Sequence, residues 1–228
     1  MDWLYRSGYQ TVGLEEWLAA RAHNGQALPR KPVVITFDDG YQDNYKLAWP
    51  VLQQYSFRAT IFLVSGLIGK CSEWREVPFS KTPMIAWDQV REMAQNGIGF
   101  GSHTRTHSDL TQLDAQSIER ELRCSRNQIE QEAGRPVRLF SYPYSRLSAT
   151  IKQQVLTAGY RAAFTYRPWY VGRAGQDQFE LQRIGILSSD TIDEFAAKMQ
   201  GSPRKRVIWY RRQLGQWLKR PGLSLKTL

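Results

Sequence analysis

The sequence predicts an α/β fold of parallel strands covered by helices, and three observations predict it. Apolar, β-branched runs alternate with helical stretches at least five times along the chain. Polar and turn-forming clusters recur just after the strand-like runs, at the strand ends where α/β proteins build their sites. The chain has 228 residues, enough for one large domain with a full core. Alternation of this kind demands parallel strands, because a parallel pair needs a long crossover and a helix supplies it. Periodicity leaves open whether the sheet closes into a barrel.

Taken in order, residues 1–32 read as two helical pieces and their turns, with Leu14, Trp17 and Leu18 on a helical period. The chain opens in a helix at Met1-Asp2-Trp3, with no strand ahead of it. Pro29 and Pro32 stiffen the lead-in to Val33-Val34-Ile35-Thr36-Phe37, which reads as one buried strand. A helix is expected over Asn44 to Tyr55 with Leu47, Val51, Leu52 and Tyr55 inward and a bend at Pro50. Further strands are expected at 59–64, 98–102, 137–141, 160–165 and 179–186. Helices are expected from Trp87 to Asn96 and from Asp114 to Ala133, each closed by a glycine, Gly97 and Gly134. Ser148 and Thr191 read as caps of two more helices, the last one burying Ile192, Phe195, Ala196 and Met199.

Composition sets bounds on class. No run approaches the ~18 apolar residues of a membrane-spanning helix. Cys71 and Cys124 give no disulfide framework and read as free thiols. The formal charge of +10 is unevenly placed. Nine basic residues and no acidic one follow residue 194, so the preceding part is nearly neutral. The expected organisation is therefore a domain over 1–201 and a basic amphipathic tail over 202–228. In that tail Val207, Tyr210, Leu214, Trp217 and Leu218 approximate one helical stripe among lysines and arginines. Such a stripe reads as contact with an anionic membrane surface, against the plainer reading of a helix packed on the domain. Deleting 202–228 is then expected to abolish co-sedimentation with anionic vesicles, and unchanged binding would refute the idea. No nucleic-acid-binding motif accompanies the basic charge, so nucleic acid is not an expected partner. Nothing in the sequence specifies an oligomeric state. The expected location is cytoplasmic or peripheral to a membrane, with secretion open if a leader lies upstream of Met1.

The chemistry concentrates at two stretches. Asp38 and Asp39 follow the strand run directly, and Gly40 lets the chain turn there. Two neighbouring ionised carboxylates repel unless a cation or a shared proton relieves them. Of the three histidines, two fall four residues apart at His103 and His107, just after a strand. On a helical turn that spacing would point both rings to one side. Imidazole nitrogen and carboxylate oxygen suit zinc or a similar divalent ion, and three protein ligands leave a position for water. Alone, an Asp-Asp-Gly is more often a turn and a spaced His pair more often surface; together they argue for a site.

Thr36-Phe37-Asp38-Asp39-Gly40, Gly101-Ser102-His103-Thr104-Arg105-Thr106-His107 and Phe140-Ser141-Tyr142-Pro143-Tyr144 resemble the first three motifs of the polysaccharide deacetylase family, also called NodB-homology or carbohydrate esterase 4. The resemblance extends in flow over about residues 1–200. It implies a distorted (β/α) barrel binding one divalent metal, zinc first among them, and acting on an N-acetylated carbohydrate. It implies Asp39, His103 and His107 as metal ligands and Asp38 as general base. Pro143 and Tyr142 would line the substrate groove, with the Tyr144 backbone N–H at the oxyanion.

Two departures from the family pattern stand out. Where many members carry a late Leu-His as general acid, this chain has Leu181-Gln182-Arg183, so Arg183 is expected to orient Asp38 or to brace the fold. The third histidine, His23, lies in the N-terminal helical region. Relatives also begin with a strand that this chain does not show, so the barrel either lacks its first strand or has it upstream. The activity expected is metal-dependent removal of N-acetyl groups from an amino sugar in a polysaccharide, glycolipid or glycan precursor. The rival is a catalytically silent carbohydrate-binding or scaffold protein on the same barrel.

Overall fold

A computed structural model describes residues 1–22, 27–72, 82–167 and 177–201. The chain divides into two compact units, one of Met1–Thr165 with Gln176–Leu181, the other of Tyr166–Gly175 with Gln182–Leu228. The tail expected at 202–228, together with His23, lies outside the described residues.

The first unit begins with α1 (Asp2–Arg6), β1 (Gln10–Thr11), α2 (Leu14–Ala22), β2 (Pro32–Val33) and β3 (Thr36–Phe37). The chain opens in a helix, as expected, but the link between the two helical pieces is more than a turn: β1 pairs in parallel with β2, with Gln10 opposite Pro32 and Thr11 opposite Val33. The run from Val33 to Phe37 is not the one buried strand expected. It splits between two sheets, with β2 in a two-stranded ribbon and β3 starting the main sheet, and all five residues are only half-buried. Two-residue strands carry too little alternation to be read from sequence.

After Asp43 the chain forms a π-helical turn (Asn44–Ala48) that runs into α3 (Trp49–Gln54). Pro50 has no N–H for the ladder and its ring crowds the preceding turn, so a regular α-helix cannot run through. The wider turn shifts the phase of the helix. Leu47 and Val51, expected inward, are 68% and 39% exposed, while Trp49 and Leu52 are buried.

The main sheet of this unit continues through β4 (Thr60–Leu63), α4 (Trp87–Gln95), β5 (Gly99–Ser102), α5 (Ala115–Ala133), β6 (Leu139–Ser141), α6 (Ala149–Thr157) and β7 (Ala162–Arg167). Every pairing from β3 to β7 is parallel and between consecutive strands. The register sets Phe37 against Ile61, Leu63 against Ser102, Ser102 against Phe140, and Ser141 against Phe164. The C-terminal ends of the strands are therefore aligned, and the segments that follow Phe37, Ser102 and Ser141 leave the sheet on one edge. This is the expected α/β fold, a curled and partly closed barrel of parallel strands.

The helices begin and end where short polar side chains and glycines dictate. Asp114 accepts from the Ser117 N–H at the start of α5, and Gly134, at φ 67°, closes it. Ile118, Leu122 and Ile129 are buried on the face of α5 that the periodicity selected. Ser148 caps α6 by accepting from the Ile151 N–H. Leu14 of α2 packs with Phe62, Leu139, Ala162, Phe164 and Leu181, and Trp17 and Leu18 pack against this cluster. Burying one such side chain stabilises by about 1.5–3 kcal/mol. Gly101 is required inside β5: a Cβ there would stand 2.5 Å from the Phe62 ring.

In the second unit, β8 (Leu181–Ile184) enters from Leu181 and is followed by α7 (Ile192–Met199). Thr191 and Glu194 form the cap of α7. Ile192, expected in the core, is 60% exposed. The buried face carries Ala197 and Lys198 instead. The Lys198 ammonium donates to the Gly185 carbonyl at 2.8 Å and to Asp190 Oδ2 at 2.5 Å. A lysine can sit inside because its charge is paired there.

Candidate metal centre and active site

The aspartate pair leaves the end of β3 in a tight three-residue turn. The Gly40 N–H donates to the Asp38 carbonyl at 2.9 Å, and Asp39 between them has φ 72°. A left-handed aspartate costs energy that the surrounding structure must hold. Gly40 is itself left-handed at φ 79°, and a Cβ there would meet Leu63 Cδ2 at 2.8 Å. The Asp39 carbonyl accepts from the Val64 N–H, so the turn is fastened to the next strand. Asp38 and Asp39 thus project differently although they are neighbours.

His103 and His107 do not lie on a helical turn, as their spacing suggested. They bracket an irregular turn in which Thr104 and His107 are both left-handed, at φ 67° and 61°. The Thr104 hydroxyl oxygen accepts from the His107 N–H at 2.9 Å and folds the segment back on itself. The outcome is what a helix would have given: two buried imidazoles on one side, ring centres 5.0 Å apart.

Both rings aim Nε2 at one oxygen. Asp39 Oδ1 is 3.4 Å from Nε2 of His103 and 3.3 Å from Nε2 of His107. The three ligand atoms lie within 4.8 Å of one another, and no other such cluster occurs among the described residues. The far side of His103 fixes its tautomer. Nδ1 lies 2.7 Å from the Ser141 carbonyl, which can only accept, so Nδ1 carries the hydrogen and Nε2 keeps its lone pair. Burial holds the His103 pKa below its ordinary value, against the pull of Asp38 and Asp39, and so favours the neutral ring. A lone pair then faces a carboxylate oxygen, and both are donors to a cation. A divalent cation resolves that arrangement, and a ligand histidine whose other nitrogen donates to a carbonyl is the usual outer support of such an ion.

Ser141 was not singled out from the sequence, yet it connects the site. Its carbonyl takes the His103 hydrogen, and its hydroxyl donates to Asp38 Oδ2 at 3.3 Å. Its only sequence signal was its place at the end of β6, inside the third motif. Asp38 is half-buried and stands beside the ligand cluster without belonging to it.

The third motif divides in a way the sequence did not show. Tyr142 and Pro143, both expected to line a groove, are buried. The Tyr142 hydroxyl donates to the Phe179 carbonyl at 2.9 Å, and burial raises its pKa, so it is a core phenol. A strand-end residue alternates sides, and Tyr142 falls on the inner one. Tyr144 is the exposed member, left-handed at φ 57° and 47% exposed. Its hydroxyl is 3.2 Å from His107 Nδ1, and its ring meets the His107 ring edge at 4.8 Å. Arg146 lies over the Tyr144 ring and pairs with Asp109 at 2.5 Å, so the turn after β6 is tied to the loop after His107. Arg183 lies on β8, half-buried, in the second unit. Cys71 and Cys124 are free thiols, and Cys124 is exposed on α5.

Comparison with known proteins points to one family. The family model described as "Polysaccharide deacetylase" matches residues 25–163. The chain is 32% identical over 202 residues to a Bacillus subtilis protein named putative polysaccharide deacetylase YxkH, covering 88% of this chain and 67% of that one. It is 24% identical over 214 residues to the poly-beta-1,6-N-acetyl-D-glucosamine N-deacetylase of Staphylococcus aureus, covering 90% of this chain and 70% of that one. Among solved structures, the Streptococcus pyogenes deacetylase PplD in complex with acetate superposes with a TM-score of 0.74 at 26% identity, over 86% of this chain and 82% of that one. The matched segment holds all three motifs and every ligand of the cluster, and by these measures the chain belongs to the polysaccharide deacetylase family.

Proposed function

We propose that this protein is a metal-dependent hydrolase that removes N-acetyl groups from an amino sugar within a polysaccharide or a related glycan. The observation that carries the reading is the convergence of Asp39, His103 and His107 on one point, with Asp38 beside them and outside the cluster. The donor set fits zinc, and cobalt or nickel would accept the same ligands. Such an ion would supply Lewis acidity toward a water and toward the amide carbonyl. The chain's own residues do the rest. Asp38, oriented by the Ser141 hydroxyl, is placed to take a proton from the attacking water. The left-handed turn at Tyr144 offers its backbone N–H to the developing oxyanion. Protonated Asp38 can return the proton to the leaving amine, which removes the need for a late histidine.

The relatives support a choice of substrate class. The Staphylococcus aureus protein is named for poly-beta-1,6-N-acetyl-D-glucosamine. A polymer of N-acetylglucosamine is accordingly the first substrate to offer. Acetate release from N-acetylglucosamine oligomers is expected with zinc present and lost on chelation, then restored by adding metal back. Tight zinc binding without any acetate release across a panel of N-acetylated glycans would instead favour a silent carbohydrate-binding protein.

A further inference from the structure

The two histidines sit on a turn with two left-handed residues, and such a turn does not hold its shape unaided. Its backbone groups are fastened on two sides. On one side, the carbonyls of Thr104 and Arg105 accept from the N–H groups of Ser65 and Gly66, at 3.3 and 2.9 Å. Those contacts come from the loop after β4. On the other side stands a carboxylate from the middle of α5. Glu121 Oε2 accepts from the N–H groups of both Arg105 and Thr106, at 2.9 and 2.8 Å. Glu121 Oε1 accepts from the Thr106 hydroxyl at 2.9 Å.

Glu121 is only 8% exposed, unusual for an unligated glutamate on a solvent-covered helix. A buried carboxylate is costly unless its lone pairs are used. Here three donors use them, all from the segment between the two histidines. Two of the three are backbone N–H groups, which cannot rotate away, and hydrogen bonds to a charged acceptor are about twice as strong as neutral ones. Glu121 touches neither imidazole. It grips two of the three residues that separate them, Arg105 and Thr106, and thereby the distance and angle at which the rings are presented.

Building on the metal-site reading above, we infer that Glu121 is the positioning residue of the histidine turn and sets the metal affinity of the site from behind it. Groups that orient metal ligands from outside the coordination shell are typically worth 10–100-fold in metal affinity. Glu121→Ala is expected to weaken zinc binding by about that factor. Glu121→Gln keeps one oxygen for the two N–H groups and should fall between Ala and wild type.

Chelator competition on the folded, metal-stripped protein measures this without reference to activity. Arg126→Ala is the control. It lies on the same helix and bonds Glu130 and the Ala158 carbonyl, so its loss destabilises α5 without touching the turn. Its zinc affinity should stay within about twofold of wild type. Should Glu121→Ala fail to fold, Glu121→Gln carries the comparison. Amide exchange in the metal-free protein gives a second readout, with Arg105 and Thr106 expected to exchange faster in Glu121→Gln. Unchanged zinc affinity and unchanged exchange at these amides would overturn the inference, as would an equal loss of affinity in Arg126→Ala. If wild type binds no zinc, the functional reading fails, and the exchange measurement still decides the role of Glu121.

Discussion

Asp38→Asn is expected to lower kcat by about 10²–10⁴-fold while leaving zinc binding close to wild type. Asparagine keeps the shape of the side chain and an oxygen to accept from the Ser141 hydroxyl. What it cannot do is take a proton from water. The loss should therefore appear in kcat more than in KM, because the interaction removed belongs to the transition state. Parallel chelator competition separates this from damage to the metal centre. Full activity in Asp38→Asn would remove the base assignment, and loss of zinc from that variant would move Asp38 into the ligand set. Ser141→Ala should show a smaller fall in the same direction, since it frees the Asp38 carboxylate to rotate without removing it.

Loss of a ligand is expected to act in the opposite order. His103→Ala should weaken zinc binding by well over the roughly 100-fold that an outer-shell change can cost, and activity should fall with it. One feature makes His103 the more sensitive of the two histidines: its Nδ1 is held by a main-chain carbonyl, that of Ser141, whereas His107 Nδ1 faces the side-chain hydroxyl of Tyr144. Asp39→Asn retains an oxygen in place but removes the negative charge, and should weaken binding less than His103→Ala. Saturating zinc should recover part of the activity of Asp39→Asn. Equal zinc affinity in wild type and His103→Ala would show that the ion binds elsewhere.

The residue types of the site were legible in the sequence, and their local conformations were not. Two histidines out of three within five residues, beyond a strand, and an aspartate pair beyond another are a chemical signal that survives ignorance of backbone detail. The helical turn expected between His103 and His107 was wrong because a four-residue spacing meets one side of a helix and also spans a folded-back turn with two left-handed residues. Ser141 and Glu121 were invisible for a different reason. Each is joined to the site through contacts 15 to 103 residues away in sequence, which no local pattern encodes. Glu121 in particular reads as one more charge on an amphipathic helix until the turn is seen to close over it.

The fold was legible for the same physical reason that parts of it were not. β4 to β8 and α4 to α6 are long or well capped enough to impose a period, and they lie within a residue or two of their expected positions. The N-terminal region has two-residue strands and a π-helical turn, which leave no period to read. The inward side of the helix after Asp43 was misread because Pro50 breaks the α ladder and rotates Leu47 outward. That Tyr142 is buried while Tyr144 is exposed was hidden for want of one fact, the side of the strand end on which each emerges.

The most direct test of the account is a crystal structure of the zinc-loaded protein with data collected across the zinc absorption edge. The expected result is a single anomalous peak bound by Asp39, His103 Nε2 and His107 Nε2, at about 2.0–2.2 Å from each, with Asp38 close by and unligated. A peak at any other position, or an Asp39 carboxylate turned away from both imidazoles, would contradict it.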